Sequence, residues 1–241
     1  MIGLEGMQGH FVVHGGGMMA TTMRTLPSVS AAIFAAGVSN SQETSDSEYS
    51  RERNELEQFI KANITEKIIY FSSYVAAEGV SRYADHKREV EALVEERGRD
   101  FLILRLPQVV GRTTNRTLVN YLVGSAINGT RITLERNAFR SLLDVVDVGR
   151  IVCLLIERNV SRETVSVGPP TPISVLDIVR YIESILQLTI ERTTVDRGDH
   201  QGADLSRMLQ LIGRGDPICA ENYQYSVLKK YVPVLSGRGV C

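Results

Sequence analysis

Three cysteines in 241 residues, Cys153, Cys219 and Cys241, are too few and too widely spaced for a disulfide framework or a zinc site. Cys153 sits in the apolar run Ile151–Ile156 and reads as a small core residue. No stretch reaches the roughly 18 apolar residues of a membrane span. No charged segment followed by an apolar one opens the chain, so no secretory signal is read. A concentrated basic field is also missing: the formal net charge is −1, which gives no footing for a nucleic-acid or anionic-membrane partner. Lysine is scarce, 5 residues against 22 arginines. With no internal repeat and no low-complexity linker, the expectation is a soluble cytoplasmic protein of one large domain, or a core with a small cap, long enough to bury its core unaided.

What is present alternates between strand-like and helical runs, the pattern of an α/β domain with a parallel sheet. Ala31–Ala36 reads as a buried strand ending in Gly37. Glu48–Ala62 follows as a helix with Leu56, Phe59 and Ile60 on one stripe. Lys67–Phe71 is a second buried strand, Arg82–Arg97 a helix with Val90, Leu93 and Val94 inward, and Phe101–Leu106 a strand stopped by Pro107. Val145–Ile156 reads as a helix, Val165–Val167 as a strand, and Ser174 as the cap of a helix from Val175 to Leu186. Beyond Gln187 come a strand, a polar stretch, a short helix near Leu205–Ile212, then irregular sequence.

A tyrosine four residues before a lysine on a helix places both side chains on one face. Tyrosine, with an ordinary pKa near 10, is a poor acid–base at neutral pH, and a nearby ammonium favours its phenolate. Chance gives about 0.2 such pairs at this composition, yet there are two, Tyr83/Lys87 and Tyr225/Lys229. Tyr83 opens a helix just after a strand ending in Ser72-Ser73, whereas Tyr225 falls in the irregular tail, so the first pair is the candidate.

The ordered series Ala35-Ala36-Gly37, Tyr70-Phe71-Ser72-Ser73, Tyr83-x-x-x-Lys87, Arg105-Leu106-Pro107 through Gly111, then Arg140 and Asp144-Val145-Val146-Asp147-Val148 resembles the extended short-chain dehydrogenases/reductases, the NAD-dependent epimerase/dehydratase group. The resemblance spans roughly residues 31–186. It implies a Rossmann-like parallel sheet flanked by helices, NAD or NADP as cofactor, and a nucleotide-sugar substrate. Phe34–Ser41 together with His86-Lys87 resembles a subgroup of surface-polysaccharide sugar pathways. Carried over, Tyr83 is the acid–base, Lys87 its partner and a ligand of the nicotinamide ribose, and Ser73 the hydroxyl that polarises substrate. Ala35, Ala36, Gly37, Ser72, Pro107 and Val109 line the cofactor, while Tyr74, Asn115 and Arg140 face substrate, Arg140 on its diphosphate. Residues 1–168 form the cofactor core, with 113–142 lending to the substrate side, and 169–241 a small substrate-binding region. The helices Glu48–Ala62 and Arg82–Arg97 are those that pair in homodimers of such enzymes.

Two departures stand out. The active serine or threonine of many relatives is one position later, where this chain has Tyr74, and the loop from Ser73 to Tyr83 is short. Gly3-x-x-Gly6-x-x-Gly9 has the spacing of a phosphate-cradling turn, but almost nothing precedes it. Arg24-Thr25-Leu26-Pro27 follows where a second strand with an acidic residue belongs, so two strands of the usual cofactor half are missing. His10 and His14 lack a third ligand and make no metal site. His86, beside Lys87, is expected on the surface. The functional expectation is hydride chemistry on a nucleotide sugar, as ketoreductase or epimerase; Tyr74-Val75 supplies no carboxylate for a dehydratase. The alternative is a non-catalytic dinucleotide- or sugar-nucleotide-binding relative, a sensor or partner subunit.

Overall fold

The structure, a computed structural model, describes residues 11–27 and 30–237. The chain runs β1 (Phe11–His14), α1 (Met18–Met23), β2 (Ala31–Phe34), α2 (Asp46–Ala62), β3 (Lys67–Ser73), α3 (Val75–Glu78), α4 (Arg82–Arg97) and β4 (Asp100–Leu106). Then come β5 (Gln108–Val110), α5 (Leu118–Asn128), β6 (Ile132–Glu135), β7 (Phe139–Arg140), β8 (Leu142–Asp144) and α6 (Val145–Glu157). The chain continues through β9 (Glu163–Ser166), β10 (Ile173–Ser174), α7 (Val175–Leu186), β11 (Arg192–Val195), α8 (Ser206–Ile212) and α9 (Tyr223–Leu235).

Strands β1, β2, β3, β4 and β9 form one five-stranded sheet in that order, every neighbouring pair parallel. Because side chains alternate across a strand, each face feeds its own core. Ala32, Phe34, Ile68, Tyr70, Phe101 and Ile103 pack under Leu56, Phe59 and Ile60 of α2 and Val90, Leu93 and Val94 of α4. Ala31, Ile33, Ile69, Leu102 and Leu104 face Met23 of α1 and Val148, Ile151, Val152 and Leu155 of α6. That second core runs on without a break into α5, α7 and α9, which with β6, β7, β10 and β11 make a cap on one side. The cap draws on residues 118–140 as well as 173–235.

The expected strands and helices of residues 31–186 stand within a few residues of their expected bounds, and Ser174 caps α7 by accepting from the Asp177 amide at 3.0 Å. The tail is different: residues 223–235, expected to be irregular, form α9. Its polar face is tied down by tertiary bonds. Gln224 accepts from the Leu142 amide at 2.6 Å, Tyr223 donates to Asp147 at 2.7 Å, and Lys230 and Tyr231 reach the two carboxyl oxygens of Asp144 at 2.6 and 2.7 Å. Tyr225 rests edge-on against Tyr181 in the packing of α9 on α7, and Lys229 is exposed.

From α1 the chain passes to β2, and among the described residues β1 is the edge of the sheet. Arg24, at the end of α1, turns back to donate to the carbonyls of Val13 and Gly15 at 3.3 and 2.5 Å. It occupies backbone acceptors that an edge strand would otherwise leave open.

Candidate active site

In open α/β sheets ligands gather at the carboxyl ends of the strands, and the candidate residues of this chain collect there. β1 ends in Gly15-Gly16-Gly17, and α1 starts at Met18. Gly15 has φ +128°, and a Cβ on it would lie 2.6 Å from the Ala35 carbonyl oxygen, so only glycine fits beside the end of β2. Gly15-x-Gly17-x-x-Ala20 has the G-x-G-x-x-A form of a dinucleotide turn, with Ala20 buried. The sequence reading put this turn at Gly3, Gly6 and Gly9, which, with His10, lie outside the described residues. The strand Phe11–His14 was the missed signal: four residues are too few to show periodicity.

Tyr83 and Lys87 share the inward face of α4, with Lys87 Nζ 5.5 Å from the centre of the Tyr83 ring. Tyr83 is buried among Val38, Tyr49 and Val75, and its hydroxyl donates to the Val38 carbonyl at 3.3 Å. Lys87 does not stand free. It is 2 % exposed and donates to Glu52 Oε1 at 2.9 Å and to the Tyr70 hydroxyl at 3.0 Å. Glu52, on α2 and 0 % exposed, also accepts from Tyr70 at 2.7 Å, from the Val38 amide at 2.7 Å and from His86 Nε2 at 2.9 Å. Its four acceptor positions are filled.

Glu52 was not foreseen, and the expectation of a surface His86 is corrected. His86 is buried against Glu52 and under the Tyr49 ring, 4.4 Å between centres, because α2 packs across the face of α4 that carries it. Both residues lie on the helical stripes already identified: Glu52 is four before Leu56, and His86 four before Val90. The charge of Arg51-Glu52-Arg53 masked that phase.

Burial opposes ionisation of Glu52, but the Lys87 ammonium and the bonds from His86, Lys87 and Tyr70 outweigh it and hold the carboxyl well below its ordinary 4.5. A depressed folded-state pKa gives stability that is present above the unfolded value and lost as pH falls below it. The wild type should therefore exceed Glu52→Gln in urea midpoint by a constant margin above about pH 5, and that margin should shrink below pH 4. A margin that stayed constant down to pH 3 would contradict this.

The remaining expected residues divide. Ser72, expected at the cofactor, turns the other way and donates to buried Glu91 at 2.5 Å, which Arg105 clamps at 2.9 and 2.6 Å. Gly37 faces the buried ion pair: a Cβ there would lie 2.8 Å from Glu52 Oε1 and 3.1 Å from Lys87 Nζ. Ala35 and Ala36 follow β2; Ala35 donates to the His14 carbonyl at 2.8 Å, and the Ala36 carbonyl accepts from Arg51 at 3.2 Å. Ser73 ends β3 beside Leu106 of β4, and neither it nor Tyr74 bonds to Tyr83 or Lys87 among the described residues. The Tyr74 hydroxyl is buried against Pro107 and Gly168 and has no hydrogen-bond partner among the described residues. Burial raises its pKa, so it stays a neutral donor. Val109 packs against the larger core, and Asn115 lies in an exposed turn before α5. Arg140 pairs with Asp199 at 2.7 Å rather than standing free for an anion.

The region from α3 to the end of β9 is also where the sequence meets a known family: residues 76–168 match the NAD dependent epimerase/dehydratase family. No curated protein matches the chain. Among solved structures, MoeE5 in complex with UDP-glucose and NAD superposes with a TM-score of 0.78 at 15% identity, covering 95% of this chain and 98% of that one. RMD from Pseudomonas aeruginosa complexed with NADPH gives 0.77 at 15% identity, covering 95% and 99%. UDP-N-acetylglucosamine 4-epimerase from Methanobrevibacter ruminantium M1, in complex with UDP-N-acetylmuramic acid, gives 0.69 at 15% identity, covering 90% and 80%. At such identities the likeness establishes the fold, a Rossmann-like α/β sheet, and the matched segment contains its strands β4 and β9 and the Tyr83/Lys87 helix. No helix of the described residues is long and apolar enough to cross a membrane, and no cluster of three or more His, Cys, Asp or Glu residues that could hold a metal occurs among them.

Proposed function

We propose that the chain is an NAD(P)-dependent oxidoreductase or epimerase that acts on a nucleotide sugar, by 4-keto reduction or epimerisation, in the supply of sugars for surface polysaccharides. The observation that carries this reading is the Tyr83/Lys87 pair on one face of α4 at the carboxyl end of the sheet. The solved structures of similar fold, in complex with NAD, NADPH and UDP-linked sugars, agree with it.

The residues present fit a dinucleotide: the Gly15-x-Gly17-x-x-Ala20 turn would take its diphosphate, and the uncommitted N–H of Lys87 its ribose. Bound there, the cofactor gives or takes a hydride. Tyr83 holds the proton that moves to or from the sugar oxygen, exchanging its long bond to Val38 for that oxygen. Ser73 or Tyr74 donates to the same oxygen. Arg140 binds the sugar-nucleotide diphosphate on exchanging Asp199 for it.

A cytoplasmic homodimer joined through α2 and α4 belongs to the same reading. The outward residues of those helices, among them Ser50, Arg53, Asn54, Asp85, Glu89 and Glu96, are polar, so such a dimer would be held by charge and would loosen with salt. The second reading, a binding relative without turnover, is favoured by the engagement of Lys87 with Glu52 and by the shortened cofactor half.

Titration with NADH and with NADPH, followed by nicotinamide fluorescence, tests the first step. Saturable binding with turnover of a 4-keto nucleotide sugar is the expected result; binding without turnover selects the second reading, and binding of neither dinucleotide removes both cofactor readings.

A further inference from the structure

Glu52 belongs to no motif that defines the site, yet it bonds to Lys87 directly and is linked to Tyr83 through Val38. Its Oε1 accepts from Lys87 Nζ at 2.9 Å and its Oε2 from the Val38 amide at 2.7 Å. The carbonyl of the same Val38 accepts from the Tyr83 hydroxyl at 3.3 Å. One buried carboxylate therefore fixes Lys87 directly and seats Tyr83 through the backbone of Val38. Two of the three N–H groups of Lys87 are consumed, by Glu52 and Tyr70, which leaves the third with a set direction. Around this centre stand His86 on Glu52 Oε2, the Tyr49 ring between His86 and Arg82, and Tyr70 beneath Lys87. Gly37 leaves room for the pair by having no side chain.

Any buried carboxylate must have its lone pairs satisfied, but the four donors to Glu52 come from α4, β3 and the loop after β2, the three pieces that must hold register for proton transfer beside Lys87. Resting on the function proposed above, we propose that Glu52 is the positioning residue of this site, holding the free N–H of Lys87 toward the cofactor and the Val38 loop against Tyr83.

The test is a four-protein cycle read by the Kd for NADH: wild type, Glu52→Gln, Lys87→Met and the double variant, each measured well below its own melting temperature. Residues that act as one unit give non-additive losses. Glu52→Gln is expected to raise the Kd roughly tenfold, a coupling of usual size for contacting residues. The double variant is expected to bind no more weakly than Lys87→Met alone. Unchanged affinity in Glu52→Gln, or losses that multiply in the double variant, would overturn the proposal, since a merely structural carboxylate alters melting and leaves NADH affinity alone. If Glu52→Gln does not fold, Glu52→Asp, which keeps the charge but draws the carboxylate back from Lys87, is read by the same Kd, and an unchanged Kd there overturns the proposal. A wild type that binds neither dinucleotide removes the functional reading and this inference with it. Normal binding weakened by Lys87→Met but not by Glu52→Gln removes the inference alone.

Discussion

Tyr83→Phe should lower turnover of a 4-keto nucleotide sugar by roughly 100- to 10,000-fold, the usual worth of a positioned general acid–base, while leaving NADH affinity and stability close to wild type. The ring stays packed among Val38, Tyr49 and Val75, so the core it fills is unchanged. What is lost is one hydroxyl, and its bond to the Val38 carbonyl, at 3.3 Å, is long. The stability change should stay within about 1 kcal/mol. Single-turnover kinetics with NADPH and a 4-keto substrate separates the two quantities. A variant that kept wild-type turnover would take the proton-transfer task away from Tyr83. One that lost turnover together with cofactor affinity and melting temperature would show the residue to be structural.

The second large effect concerns stability. Lys87→Met should destabilise the fold by about 3–5 kcal/mol at pH 7, because it strands the Glu52 carboxylate in the interior. Adding Glu52→Gln should restore most of that loss, since a neutral pair of similar volume is about as stable as the ion pair it replaces. The sign is set by burial: Glu52 is 0 % exposed and Lys87 2 %, so water cannot solvate whichever charge remains. The penalty of the single variant should also shrink toward acid pH, because a protonated Glu52 carries no charge to strand. Urea midpoints of the three proteins at pH 7 and pH 5 measure all of this. A double variant no more stable than Lys87→Met would mean that the loss came from packing around the lysine stem.

Much of the fold was legible because its helices are amphipathic. Leu56, Phe59 and Ile60 and then Val90, Leu93 and Val94 announce α2 and α4 by spacing, and all six end in one core. Breakers did similar work at Pro107 and Gly168, where strands stop. The cap was less readable for a physical reason: β6, β7, β8 and β10 are two to four residues long, shorter than a periodicity can express. α9 escaped because its inward face includes Tyr223, Gln224 and Tyr231, polar groups whose burial depends on Asp144, Asp147 and β8 rather than on local pattern. At the site, Tyr83 and Lys87 were readable from spacing and order. Glu52 and His86 were not, since a buried charge looks like a surface charge until its partner is placed beside it. Their helical phase with Leu56 and Val90 was the available clue.

The latch of α9 onto Asp144 bears on how the chain reaches its native state during synthesis. Asp144 needs Lys230 and Tyr231, which lie 86 and 87 residues further along. At roughly 5–20 residues per second, a ribosome takes about 4 to 17 s to deliver them. In that interval all five strands of the main sheet can already have emerged, while the buried carboxylate at the start of α6 still lacks its cation and its hydroxyl. The sheet can therefore assemble on the ribosome, whereas the cap is held back until the last helix arrives. The cap that α9 closes is therefore completed after the sheet.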